Sequence, residues 1–214
     1  FFGSGKSHFL KILAYLLENR EVAGKTALDY FIDDAKVHDQ KTLANMKLAA
    51  SIPNEVMLFN IDSKAKNGNK SQKDAILNVF LQVFNEQLGL FGADFWIADL
   101  ERDLIAQGKY DEFQSKFKEL DRQNRDWLDA RNAYAFLKGT IRDALVEIGF
   151  MSESDADGFI DQLKKEYPIS VESFAKLVNK HIETQGKNYH MAFLVDEVGP
   201  VSYTHLTLPT ICSV

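Results

Sequence analysis

Two short apolar runs stand out against long stretches of helical spacing. In "NYHMAFLVDEVG", Met191 to Val195 are apolar without a break and stop at two acids, Asp196 and Glu197. In "EVMLFNIDSKA", the run from Val56 to Ile61 ends at Asp62. Runs of this length predict strands buried on both faces of a parallel sheet, with their polar ends at one ligand crevice. Elsewhere the period is helical. In "KSHFLKILAYLLEN", Phe9, Ile12, Leu13, Leu16 and Leu17 share one face, so this helix has an apolar stripe to bury.

The stretch between the two runs predicts a series of helices. In "QKDAILNVFLQVFNEQLG", Ala75, Ile76, Val79, Phe80, Val83 and Phe84 form an apolar face, with Ser71 as cap and Gly89 as stop. The segments "ADFWIADLERDLIAQG", "KYDEFQSKFKEL", "RDWLDARNAYAFLKG", "TIRDALVEIG" and "VESFAKLVNKHIETQG" follow the same logic, and "EYPIS" breaks the pattern before the last. Trp96, Trp127, Phe113 and Phe117 are expected in the core. Arg20, Arg102, Arg122, Arg125, Arg131 and Arg142 are expected on solvated faces.

The chemistry is concentrated at the ends of these elements. "FFGSGKSHFL" fits G-x-x-x-x-G-K-[ST] from its second position onward, and the first Gly of that pattern would precede Phe1. In such a loop the backbone N–H groups wrap phosphates, the Lys reaches the terminal phosphates and the Ser hydroxyl ligates Mg²⁺. Gly3, Ser4, Gly5, Lys6, Ser7 and His8 are therefore the candidate ATP-phosphate stretch, followed by a helix whose N-terminal dipole favours an anion. A bare G-K-S also marks ordinary turns, so a second element matters. Asp196, closing an apolar strand, is where a P-loop ATPase needs a carboxylate for Mg²⁺, and Glu197 beside it can activate the attacking water. The metal set is thus Ser7 and Asp196, and the catalytic pair is Lys6 and Glu197. Asn60 and Asp62 are candidate supporting groups, with a plain strand-ending turn at Asp62 and Ser63 as the alternative.

Composition narrows the partners. The 214 residues carry a net charge of -6, which exerts no general pull on nucleic acid, although Lys64, Lys66 and Lys70 leave a local contact open. No stretch has the apolar length of a membrane span, and a cytoplasmic protein is expected. One Cys excludes an internal disulfide framework, and the five His residues show no zinc spacing.

Taken together, "FGSGKSHFLKILAYLLEN", "LFNIDSKA", "AILNVFLQVFNEQLG", "DLERDLIAQGKYDEF" and "FLVDEVG" resemble the large P-loop ATPase of the bacterial BREX phage-defence system, the BrxC type. The similarity runs with gaps from Phe2 to Gly199. It implies an AAA-like ATPase using ATP and Mg²⁺, working as an oligomer beside a methyltransferase and other BREX proteins. A DNA contact would lie in regions outside this chain. By that resemblance Lys6 and Ser7 take the phosphate and metal roles, Asp196 the second metal-linked role and Glu197 the base.

The expected organisation is α/β: a partial P-loop NTPase (AAA-like) core with a large helical insertion. Residues 1–70 supply the first part of the core, 71–186 the insertion and 187–199 the strand ending in the two acids. The tail 200–214, "PVSYTHLTLPTICSV", has no charge and no periodicity and matches a translated transposase sequencing adapter in frame. On that reading His205 and Cys212 carry no biological meaning, and the chain is a gene fragment, open inside its phosphate loop and ended by adapter. Two further functions stay open at this point: a nucleotide-gated scaffold with little turnover, and a DNA-translocating motor.

Overall fold

The computed structural model describes residues 5–61 and 72–196, with the side chains of 72–74 left out. It is a mixed α/β structure, mostly helical, with ten α-helices among the described residues and a small parallel sheet. Two compact units divide at 68/69 and at 180/181.

The first unit begins with α1 (Lys6–Glu18), which a left-handed Asn19 ends with its N–H on Tyr15 O. A short hairpin of β1 (Glu21–Val22) and β2 (Lys25–Thr26) follows. It leads into α2 (Ala27–Asp33), started by a reciprocal capping box between Thr26 and Asp29. Asp39 caps α3 (Gln40–Ser51), accepting the Thr42 N–H at 2.7 Å. The chain then enters β3 (Asn54–Asn60), which pairs in parallel with β4 (His190–Asp196). Both apolar runs therefore form strands. Val56, Met57 and Phe59 of β3 are buried, but β4 is only half-buried along its length. The expectation of burial on both faces thus fails for β4, whose ladder partner among the described residues is β3 alone.

α1 packs against β3 and β4. Its stripe is covered from Leu10 onward, while Gly5 to Phe9 stand in solvent. Phe9, expected on the buried face, is 64% exposed because the whole first turn projects clear of the sheet.

The second unit is helical. It holds α4 (Gln72–Gln87), α5 (Phe95–Ala106), α6 (Tyr110–Leu120), α7 (Trp127–Ala130), a 3₁₀ turn (Arg131–Phe136), α8 (Lys138–Glu147) and α9 (Glu153–Gln162). The final helix, α10 (Val171–Gln185), begins in this unit. Glycine at φ 75 follows α4 at Gly89, and the Leu90 N–H bonds back to Asn85 O at 2.9 Å, which turns the chain out of the helix. The expected cap Ser71 lies outside the described residues.

"RDWLDARNAYAFLKG", expected as one helix, is split. α7 gives way to the 3₁₀ turn, and Ala133 leaves helical geometry at φ -111. The split seats Trp127 in the core, where its ring meets Phe113 and Phe117 edge-on with centroids 5.1 and 5.0 Å apart. Those three are buried as expected, whereas Trp96 is half-buried, its indole N–H donating to Lys165 O at 3.1 Å. On α10, Phe174 meets Phe80 and Phe84 of α4 edge-on.

Candidate functional site

The candidate phosphate-loop segment enters the described structure at Gly5, which precedes α1 with φ 73 and ψ 1. A Cβ there would meet nothing within 4 Å, so conformation rather than space calls for glycine. The Gly5 carbonyl accepts the Phe9 N–H at 2.9 Å, the first bond of the helix. The N–H groups of Lys6, Ser7 and His8 precede it and have no partner within the helix itself. Among the described residues no acidic side chain occupies the first turn and no side chain caps it, and Lys6 and Ser7 are exposed there. This is the chemistry an anion requires. Gly3 and Ser4 lie outside the described residues.

The other half of the site comes from the sheet. Pairing runs from Asn54 opposite His190 to Asn60 opposite Asp196. Asn60 and Asp196 therefore share the last rung at the carboxyl ends of two adjacent parallel strands, the edge at which α/β sheets bind ligands. Both are half-buried. Glu197 and Asp62 lie outside the described residues. Lys6, Ser7, His8 and Asp196 belong to one unit, joined by the packing of α1 on β3 and β4.

These donors fit a hard divalent cation. Mg²⁺ is ordinarily held by one or two carboxylates together with substrate phosphates and water, not by a protein cage. One half-buried carboxylate at a strand end and one hydroxyl at an exposed helix start are donors of that kind and belong to one unit. Among the described residues no three His, Cys, Asp or Glu side chains converge as a cage would need.

At the opposite end of the ladder lies a cluster that sequence reasoning missed. Glu55, the second residue of β3, accepts the phenolic O–H of Tyr189, which immediately precedes β4. His181 Nε2 lies 3.5 Å from the same Glu55 oxygen. Burial, then the bond to Glu55, raises the Tyr189 hydroxyl above its ordinary value, so it stays protonated and donates. The His190 N–H also donates to Pro53 O at 2.8 Å. Together these contacts anchor the start of β4 beside β3 and set the register that brings Asp196 to Asn60.

The second unit contains a fully buried carboxylate, Glu101. Its oxygens accept the backbone N–H of Phe91 at 2.6 Å, the indole N–H of Trp127 at 2.7 Å, the Arg131 guanidinium at 2.8 Å and the Tyr110 hydroxyl at 3.2 Å. Burial, together with the Glu101 charge, pushes the Tyr110 hydroxyl up to about 12. Arg131 is thus no solvated arginine, as expected of it, but the counter-ion of a buried acid. Arg102 likewise donates to the buried Asn85 at 2.6 Å and pairs with Asp99, and Arg125 pairs at 2.8 Å with Asp121, whose side chain is 3% exposed. The available signal was the spacing of Glu101 with Ile97 and Leu104, which puts an acid on the apolar stripe of α5. An open cleft of about 290 Å³ near Phe91 and Gly92 borders Arg131, but Glu101 already engages that guanidinium.

No family model matches the chain, and no solved structure matches it. Among the described residues no helix is long and apolar enough to cross a membrane.

Proposed function

We propose that the chain carries the nucleotide site of an AAA-like P-loop ATPase that binds and hydrolyses ATP, and that it works in a bacterial BREX defence system as its resemblance implies. The observation that carries this reading is the parallel pairing of β3 with β4, which ends at Asn60 and Asp196 in the unit that α1 also covers. A glycine-started helix and an acid-ended strand packed in one unit are the two halves of a phosphate and metal site.

In this reading the first-turn N–H groups of α1 and the Lys6 ammonium hold the phosphates and offset the charge that develops on them. The Ser7 hydroxyl and the Asp196 carboxylate would hold Mg²⁺. The cation, when bound, would supply charge neutralisation at the phosphate oxygens. Glu197 orients a water for in-line attack and accepts its proton as the new O–P bond forms and the bond to the ADP oxygen breaks. The helical unit, with a core of its own, serves partners or regulation, among them the methyltransferase and other BREX proteins.

ATP affinity and steady-state hydrolysis of Lys6→Ala and Glu197→Gln, made in the full-length protein of which this chain is expected to be a fragment, test the proposal. Lys6→Ala should weaken binding and turnover together, because its charge meets the phosphates in both ground and transition states. Glu197→Gln should keep ATP affinity while turnover falls at least about a hundredfold. Unchanged hydrolysis in Glu197→Gln would leave a nucleotide-gated scaffold as the function, and absence of ATP binding in the unsubstituted full-length protein would remove the nucleotide reading altogether.

A further inference from the structure

The open cleft of about 290 Å³ in the helical unit is lined by Glu86 of α4, by Leu90, Phe91, Gly92 and Ala93 of the loop that follows, and by Arg131 of the 3₁₀ turn. Arg131 is held in place before any ligand arrives. Its Nη1 donates to the buried Glu101 at 2.8 Å and to Gly89 O at 3.4 Å, and its guanidinium stands over the Phe91 ring, 5.4 Å from the centroid. The side chain is only 17% exposed. A guanidinium fixed in this way loses little further freedom on binding.

Glu101 engages one nitrogen of the three. Nε and Nη2 donate to no acceptor among the described residues, and neither is sealed from solvent. These two nitrogens form one edge of the planar group, an edge that can grip an oxyanion through two parallel N–H···O bonds. The buried Leu90 and Phe91 and the exposed Ala93 add apolar lining suited to a short hydrocarbon stem.

The surrounding charge selects among oxyanions. Glu101 balances Arg131, and Glu86 adds a second acid to the lining, so the cleft has no surplus positive charge. Glu86 lies close against Gly92, where a Cβ would meet its Cγ at 2.6 Å and its Oε1 at 2.9 Å, so glycine makes room for the acid. A dianionic phosphate is repelled about twice as strongly by such a charge as a singly charged carboxylate.

We propose that this cleft is a carboxylate-binding site, with the Nε–Nη2 edge of Arg131 as its anchor. Saturation-transfer NMR on the full-length protein tests this with propionate, the uncharged propionamide, methyl phosphate and N-acetylglutamyl amide, which presents its carboxylate as a partner's side chain would. Ala93→Trp fills the cleft from an exposed position that makes none of the Glu101 bonds. Arg131→Lys keeps a charge for Glu101 but lacks the two-nitrogen edge. If Arg131→Lys fails to fold, Ala93→Trp carries the comparison.

The expected result is a saturable propionate signal that falls at least about tenfold in both variants, with a weaker signal from methyl phosphate and none from propionamide. A propionate signal that is absent from the unsubstituted protein, that persists in Ala93→Trp, or that propionamide matches would overturn the site. A methyl phosphate signal equal to that of propionate would overturn the selectivity for carboxylate. Binding of propionate without N-acetylglutamyl amide would support the site and assign it to a small molecule. Tighter binding of N-acetylglutamyl amide would support it and assign it to an acidic side chain of a partner.

Discussion

The indole N–H of Trp127 donates to Glu101 Oε1 at 2.7 Å, both side chains being buried, so the centre of the helical unit is polar at one point and fully satisfied there. The carboxylate answers donors from the loop after α4, from α6, from α7 and from the 3₁₀ turn, and so ties four separate segments to α5.

Removing that carboxylate should therefore destabilise strongly. Glu101→Leu leaves the Arg131 charge and the Trp127 and Phe91 N–H groups without their acceptor, and the expected loss is about 3–5 kcal/mol. The double variant Glu101→Leu/Arg131→Met removes the stranded charge and should recover part of it. Urea unfolding of the parent, Glu101→Leu, Arg131→Met and the double variant measures both effects, and additive losses of the two single variants would contradict the pairing.

Core and surface aromatics should separate cleanly. Phe117 is fully buried against Trp127, and Phe117→Ala is expected to cost about 3–5 kcal/mol. Phe136 is 91% exposed, so Phe136→Ser should stay within about 0.5 kcal/mol of the parent. Thermal melts of the two variants check the contrast.

Acid stability should depend on Asp121. Its bonds to the Arg125 side chain hold the carboxyl at about 2, below its ordinary 3.8. A depressed folded-state value means that the stabilisation is complete above about pH 4 and is lost as pH falls toward 2. Asp121→Asn should lower stability at neutral pH and flatten this part of the acid titration. Denaturation midpoints between pH 2 and 5 show it, and an unchanged acid limb would argue against the pair.

Two glycines should respond in opposite directions. Gly5 has φ 73, where a side chain is strained even in open space, so Gly5→Ala should cost about 1–2 kcal/mol. Gly158 sits inside α9 at helical φ with nothing within 4 Å of a built Cβ, so Gly158→Ala should stabilise by about 0.5–1 kcal/mol. Calorimetric melting of the pair decides both signs.

What the chain reveals by itself is local. The runs Val56–Ile61 and Met191–Val195 read as strands, and β3 and β4 form there, because a short apolar run bounded by polar residues has few other solutions. The 3.6-residue spacing likewise predicts α1, α4, α5, α6, α8 and α10, and Gly89 marks where α4 stops, since the capping chemistry is written in neighbouring residues. The segments α2, α3 and α9 escape such a reading. Their stripes are weak or short, and their starts rest on single Asp, Thr or Ser caps that also occur in turns.

Only tertiary structure decides which residues meet. That Asn60 stands opposite Asp196 depends on β3 pairing with a strand on the far side of an entire helical unit, and no local pattern encodes that register. The Glu55, Tyr189 and His181 cluster and the four donors around Glu101 arise in the same way, from residues distant in sequence. The break at Ala133 is tertiary too: the helical pattern continues through it, but the seat of Trp127 between Phe113 and Phe117 requires the turn. Propensity acts over a few residues with fractions of a kcal/mol, whereas burial of one large aromatic is worth several times more, so packing overrules it where the two disagree.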